Sequence, residues 1–412
     1  MPATTKQPVT LHVFTGLGLS AMHQGFWHRG GPKAAFESKH PHIEVEWQRL
    51  PRTPAGKPPD EAFSALIASD DPIDVVQFAS DWTGLAVAQG GLLALDQLIA
   101  RDHYDLTDYW SGLLDASRWR GALYALATNA IPFPLLCNAT LFADAGLAVP
   151  PGAWSWAQFL AAARTLAASP VYGFAFPFNG HLPLTLSWIR GNGGDILSDD
   201  LGRSLVNQPA AQEAVQWLAD LVHVHTVTQT ADEAASGREI TALWKAGRVA
   251  MMHQLWLPEA SRRQSAPPGE VAYAEPPRGP VHPASYVTIP FGSWYISSAS
   301  AVTDEAWAFL MQWTSAEVQR DYHAFGHDAS YVGLLTPPAR QAVASEFEQR
   351  YGKVTLASLA HGQSVPLHPA LPALLEAFQQ GLTPAFTGQQ SLVEATTAVA
   401  QEQDNILAQW TP

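Results

Sequence analysis

The sequence predicts an α/β protein with more than one hydrophobic core. Its 412 residues are too many for a single growing core to be the default. Between residues 9 and 79, strand-like and helix-like patterns alternate, as in βαβ construction. A second set of such patterns begins near residue 130.

In the first set, VTLHVF at 9–14 is rich in β-branched and aromatic residues and runs into Gly16 and Gly18, so it reads as a strand entering a flexible loop. A helix is expected over 31–39, closed by His40-Pro41, followed by a strand at IEVEW, 43–47. DEAFSALIAS gives a short helix with Asp60 as cap and Phe63, Leu66 and Ile67 on one face. IDVVQFA, 73–79, is almost continuously apolar, the pattern of a parallel strand covered on both sides. Directly after it a helix begins, capped by Asp81 or Ser80 and ended by Gly90-Gly91. Trp82 therefore lies at a strand's carboxyl end, the side on which open α/β sheets hold ligands.

In the second set, Ser155 caps a helix, Gln158 completes a capping box, and Phe159, Leu160, Ala163 and Leu166 form its apolar face. VYGFAFPF is strand-like, LTLSWI is short and apolar, and GNGGD at 191–195 is a turn. Asn207 is expected to cap a helix carrying Ala214, Val215, Trp217, Leu218 and Leu221. A short helix at ITALWKAG precedes a strand ending at 253–256, and the Pro-rich run 267–283 reads as an irregular surface crossing. YVTIPFGSWYISS predicts a strand, a glycine bulge or turn, and a second strand. A helix with Trp307, Leu310 and Met311 one turn apart follows, and the tail 369–407 is helical with an interruption near Gly381 to Gly388.

Charge narrows the possible partners. With 23 Lys and Arg against 37 Asp and Glu, a net charge of −14, and no basic run longer than Arg262-Arg263, no nucleic-acid surface is expected. The single cysteine, Cys137, allows neither an internal disulfide nor a cysteine metal cluster. No apolar run approaches the roughly 18 residues of a membrane span, and MPATTKQPVTLHVF lacks the order of a signal peptide. His223 and His225, two residues apart, have no HExxH or cysteine partner, so no metal is expected. GNGGD is neither a P-loop nor a dinucleotide fingerprint, and no GxSxG elbow is present. No cofactor is implied.

Fifteen tryptophans are the strongest hint of a ligand. Trp217, Trp307 and Trp313 fit helical packing, Trp47 fits a strand, and Trp244 packs its short helix. Trp82, Trp188, Trp256 and Trp294 instead stand beyond apolar runs or beside glycine turns, where an indole face suits the C–H side of a sugar ring.

The order of several segments resembles the maltose-binding-like group of extracellular solute-binding proteins that serve ABC importers. The segments are AAFESKHPHIEVEW, DPIDVVQFASDWTGLAVAQGGLLALDQLI, RWRGALYALATNAIPFPLLCNATLFADAGL with WSWAQFLAAARTL, WIRGNGGDILSDD before NQPAAQEAVQWLADL, ALWKAGRVAMMHQLW, and FGSWYISSAS with DEAWAFLMQWTSAEVQ. They cover about residue 9 to 407.

The resemblance implies a two-lobed periplasmic-binding-protein fold with a hinge crossed three times and a cleft between the lobes. One lobe would hold 1–128 plus 286–330, the other 129–285 plus 331–412. It also implies non-catalytic binding of a carbohydrate, hinge closure on it, and delivery to permease subunits by a monomer outside the cytoplasm, with membrane anchoring left open. The site carried over by motif consists of Thr15, Gly16, Leu17, Asp81, Trp82, Asn129, Trp188, His253, Gln254, Trp256, Gly292, Ser293 and Trp294. Their chemistry agrees: Asp81 accepts from neighbouring hydroxyls, Asn129 and Gln254 both donate and accept, and the indoles supply faces. The family often has a second glycine where this chain has Ser293, and small residues where it has His253 and Gln254. These departures bear on which sugar is taken.

Two other readings stay open from the residues alone. A sugar hydrolase would need two carboxylates flanking the glycosidic oxygen, and Asp81 and Asp195 are the candidates. A phosphorylated polyol would need an unpaired cation such as Arg190 or Arg340.

Overall fold

The computed structural model describes residues 7–15, 31–49, 72–78, 80–177, 182–230, 233, 236–254, 266–279, 286–328, 336–365 and 367–410. For residues 49, 81, 182, 183, 237, 286–291 and 325–328 the description is of the backbone. The chain forms two compact units: Met1–Ala130 with Ile289–Phe347 and Leu367–Leu371, and Ile131–Thr288 with Glu348–Pro366 and Pro372–Pro412.

The first unit is built on strands β1 (Val9–Thr15), β2 (Ile43–Arg49) and β3 (Val75–Phe78). β1 pairs in parallel with β2 on one side and β3 on the other, setting Thr15 opposite Gln77. A short hairpin, β4 (Arg118–Trp119) and β5 (Ala122–Leu123), precedes β6 (Leu126–Pro132). In chain order β7 (Leu135–Asn138), β8 (Met251–His253) and β9 (Val271–Ala274) follow, and then β10 (Tyr286–Ile296), which runs antiparallel to β3 and also pairs with β6. The sheet order β10-β3-β1-β2 has the chain turning from β1 to opposite sides.

Alternation along the strands sorts this unit's core into two faces. Phe14, Val76, Phe78 and Tyr295 pack with Ala86 and Leu92 on one face. On the other, Trp47 and Trp294 meet Phe309 and Trp313 of the helix Thr303–Trp313. Residues 336–347 are tied into this unit through bonds such as Trp110 Nε1 to the Pro338 carbonyl at 2.9 Å. The helix expected around Asp60, Phe63, Leu66 and Ile67 lies outside the described residues.

In the second unit, β7 is the centre of a three-stranded antiparallel sheet between β8 and β9. Helix Pro209–His223 packs against Leu182–Gly191 and Leu392–Ala408. The Ser155–Gln158 capping box is present, and Ser236–Glu239 and Ser391–Glu394 form two more, each cap contributing about 1 kcal/mol.

Several elements differ from expectation. The Pro-rich run holds β9, because VAYA lies free of proline between Pro268 and Pro276 and pairs with β7. VYGFAFPF joins its neighbours through single bridges at Tyr172, Phe174 and Ala175. LTLSWI belongs to the helix Leu182–Gly191. The N-cap position of helix Pro209–His223 falls on Gln208, which makes no side-chain cap bond, and not on Asn207, since Pro209 occupies a first-turn position that needs no N–H donor. The tail helix Leu371–Phe386 continues through Gly381, which serves close helix packing: a Cβ there would lie 2.3 Å from Val399 Cγ2. The break comes at Gly388, at φ +72°, inside the expected interval.

Candidate functional site

In the first unit, the carboxyl ends of β1 and β3 lie side by side where the chain reverses direction across the sheet. Crevices outside such ends are the ligand positions of open α/β sheets. Thr15 closes β1; it is 2% exposed and its Oγ1 has no hydrogen-bond partner among the described residues. Gly16 and Leu17 lie outside the described residues. Beyond β3, Ser80–Trp82 form a 3-10 turn into the helix Thr83–Ala88. The N-cap position of this helix falls on Trp82, which makes no side-chain cap bond, and not on Asp81 or Ser80 as expected. Asp81 is described by its backbone within the turn.

Trp82 is half-buried and packs against the Phe14, Phe78 and Tyr295 cluster. That cluster is rigid beneath it. Phe78 stacks on Tyr295 with centroids 4.1 Å apart and planes 8° apart, and the Tyr295 hydroxyl lies 2.5 Å from Thr83 Oγ1. Of the four proposed sugar-facing indoles, Trp82 keeps a partly open ring on a fixed base.

Asn129 is turned inward. Its Nδ2 donates to the Thr336 carbonyl at 2.9 Å and lies 3.3 Å from His323 Nε2, all in buried surroundings. Gly292 takes φ +64°, and a Cβ there would sit 2.5 Å from Thr128 Oγ1, so both conformation and space call for glycine. Ser293 faces Phe78 across the ladder, fully buried, with Oγ unpartnered among the described residues.

Trp294 corrects an expectation. Glycine and serine before it suggested an exposed face, yet its register opposite Gln77 turns it onto the face covered by helix Thr303–Trp313. Trp47, Phe309 and Trp313 surround it with centroids 5.8–6.1 Å away, and it is 1% exposed.

In the second unit, Trp188 and His253 are likewise core residues. Trp188 stacks on Trp217 at 5.2 Å and meets Phe159 and Phe174 edge-on, at 5.5 and 5.9 Å. Its Nε1 donates to His253 Nδ1 at 3.1 Å, while His253 Nε2 lies 3.0 Å from the Phe133 carbonyl. The two bonds require a neutral imidazole with its proton on Nε2. Gln254, just past β8, is half-buried and its Oε1 has no partner among the described residues. Trp256 lies outside the described residues. The expected convergence of four indoles therefore loses Trp188 and Trp294, each closed inside its own unit's core.

Both candidate cations are already engaged. Arg190 forms a two-pronged pair with Asp195, Nε to Oδ2 at 2.9 Å and Nη2 to Oδ1 at 3.4 Å, and Nη1 donates to the Ser364 carbonyl at 2.8 Å. Arg340 donates to the Thr314 carbonyl at 2.8 Å and the Tyr104 hydroxyl at 2.6 Å, lies 3.7 Å from Asp108, and sits over the Tyr109 ring at 4.4 Å. The pair with Arg190 also occupies Asp195, one of the two carboxylates a hydrolase would require. His225 Nδ1 contacts Arg164 and His223 Nε2 the Phe386 carbonyl, both near 3 Å. Among the described residues no group of three or more His, Cys, Asp or Glu could hold a metal ion, and no helix is long and apolar enough to cross a membrane.

Gln77 was missed by sequence reasoning. It lies inside an apolar run, VVQF, whose only signal is that polar interruption, and it emerges fully buried between Thr15 and Trp294.

The α/β architecture is shared with solved sugar-binding and solute-binding proteins. The chain belongs to the bacterial extracellular solute-binding proteins, the family pattern matching residues 24–320. The chain is similar in fold to the sugar-binding protein MalE from Xanthomonas citri, with 19% identity, a TM-score of 0.81 and 98% of each chain covered. It is similar also to the cyclic α-maltosyl-1,6-maltose binding protein of Arthrobacter globiformis, at 19% identity, TM-score 0.79, and 98% and 100% coverage. UgpB from Mycobacterium tuberculosis, in complex with glycerophosphocholine, matches at 18% identity, TM-score 0.74, and 98% and 99% coverage. The family is one of extracellular proteins, which is the location expected for this chain.

Proposed function

We propose that the protein binds a neutral sugar or small oligosaccharide without altering it and presents it to the permease of an ABC importer. The observation that carries this reading is a contrast in hydrogen bonding. Arg190 and Arg340 are both consumed by internal partners, whereas Thr15 Oγ1 and Gln254 Oε1, at strand ends of the two units, are neutral and unpartnered among the described residues. Such groups match hydroxyls, which both donate and accept. Trp82 adds a half-open indole, and ring burial adds hydrophobic gain.

The two units would act as lobes joined by a hinge, with the ligand between them. Closure is favoured because only the closed form lets both lobes contact one ligand. The ligand-binding set then centres on Thr15, Asp81, Trp82 and Gln254, with Gly16, Leu17 and Trp256 adjoining them in the sequence. The permease would read closure, and the protein would work as a monomer outside the cytoplasm.

The relative captured with glycerophosphocholine keeps a phosphorylated polyol as the second reading. That reading requires a free cation near the ligand. Calorimetry and tryptophan emission across mono-, di- and trisaccharides and polyol phosphates separate the two. Saturable binding of a neutral sugar, with no product formed on long incubation, is the expected result. Binding confined to phosphorylated compounds would overturn the sugar reading, and steady release of smaller sugars would overturn the non-catalytic one. Small-angle scattering should show compaction when the sugar is added.

A further inference from the structure

A small cavity lies in the first unit. Gln77, Thr128, Asn129, Trp294 and Gln319 are among the residues that line it. Its volume is about 10 Å³, against the roughly 300 Å³ or more of a small-molecule site. One water molecule needs roughly 10–15 Å³ together with two to four polar partners.

The lining supplies those partners in complementary form. Gln77 and Trp294 are paired in register on β3 and β10, at 2% and 1% exposure. Among the described residues, Trp294 Nε1 is a donor without an acceptor, and Gln77 Oε1 is an acceptor without a donor. Leaving both unmade in a buried place is costly. A single water lying between them would satisfy both, accepting from the indole and donating to the amide. Thr128 Oγ1 spends its proton on the Gly292 carbonyl at 3.2 Å, so its lone pairs remain for the second water hydrogen.

We propose that this cavity is a binding site for one structural water, which joins Trp294 Nε1 to Gln77 Oε1 and is shared with Thr128. The bridge links β3, β6 and the irregular residue of β10. Gly292 is part of the arrangement: a Cβ at that position would lie 3.3 Å from Gln77 Nε2 as well as against Thr128, pressing the amide out of place.

The test is a high-resolution crystal structure of the full chain without added sugar, together with a water-selective nuclear Overhauser experiment on the indole N–H groups in solution. A discrete water peak at ~2.7–3.2 Å from both atoms, and a water cross-peak at the Trp294 indole proton, are expected. The indole signal is assigned by its loss in Trp294→Phe. The cross-peak should vanish in Gln77→Met, whose longer apolar end fills the space. Density in which Trp294 Nε1 bonds directly to Gln77, or an empty cavity with no cross-peak, overturns the proposal. If either variant fails to fold, the crystal structure of the unaltered chain decides.

Discussion

Trp188 Nε1 donates a hydrogen bond to His253 Nδ1 at 3.1 Å, deep in the second unit. The bond joins the helix Leu182–Gly191 to the end of β8 and leaves neither ring available to a ligand. It also fixes the imidazole as neutral, since the second nitrogen faces the Phe133 carbonyl.

Trp188→Phe should therefore lower stability and leave sugar affinity nearly unchanged. The loss removes a buried donor and strands the His253 acceptor, which costs about 1–3 kcal/mol. Urea unfolding measures the first quantity and calorimetry the second. A large drop in sugar affinity with stability intact would return Trp188 to the binding site.

Gly292→Ala should destabilise the first unit by about 1–3 kcal/mol, the usual cost of a non-glycine residue held in a rare conformation. The added methyl also meets Thr128 Oγ1 at 2.5 Å. Thr128→Ala in the same chain should recover part of the loss. Denaturant midpoints of the single and double variants give the comparison.

Arg190→Met should cost about 1–3 kcal/mol, because Asp195 and the Ser364 carbonyl lose a charged donor. The one-third exposure of Asp195 keeps the cost below that of a fully buried pair. Sugar affinity should not change. A selective loss of phosphorylated ligands in this variant would instead show that the guanidinium serves the ligand.

His368 gives a pH dependence. Burial pushes its pKa down to about 4 from the ordinary 6.5, and its Nδ1 accepts the Ala370 N–H at 3.0 Å, which a protonated ring cannot do. Between these two values the unfolded chain binds a proton that the folded chain refuses, so stability falls as pH is lowered from about 6.5 towards 4. His368→Asn keeps an acceptor without titrating. Its thermal midpoint should fall less over that interval than that of the unaltered chain, and equal slopes would remove His368 as the cause.

Much of the fold was legible because its signals are local. The alternation of IEVEW, the continuous apolar run ahead of Asp81 and the Ser155–Gln158 box each specify an element within a few residues. The failures arose where distant partners decide. VAYA pairs as β9 although prolines flank it, since β7 offers an open edge. The tail breaks inside the interval expected from Gly381 to Gly388, at its far end, because Val399 on the neighbouring helix makes Gly381 a packing contact.

The candidate site divides in the same way. Composition alone directed attention to tryptophan and away from nucleic acid, and motif order alone pointed to the solute-binding family. What the sequence by itself determined was therefore class and chemistry: two α/β units, a net acidic chain, and aromatic and neutral polar residues at strand ends. Only tertiary structure decided which of those residues remain free. Strand register turned Trp294 onto a covered face, and an aromatic stack enclosed Trp188. Ion pairs occupied both arginines, while Trp82, Thr15 and Gln254 kept an open face or an unmet bond. The physical reason is that burial and hydrogen-bond satisfaction are properties of residues far apart in the chain, and no local pattern encodes them.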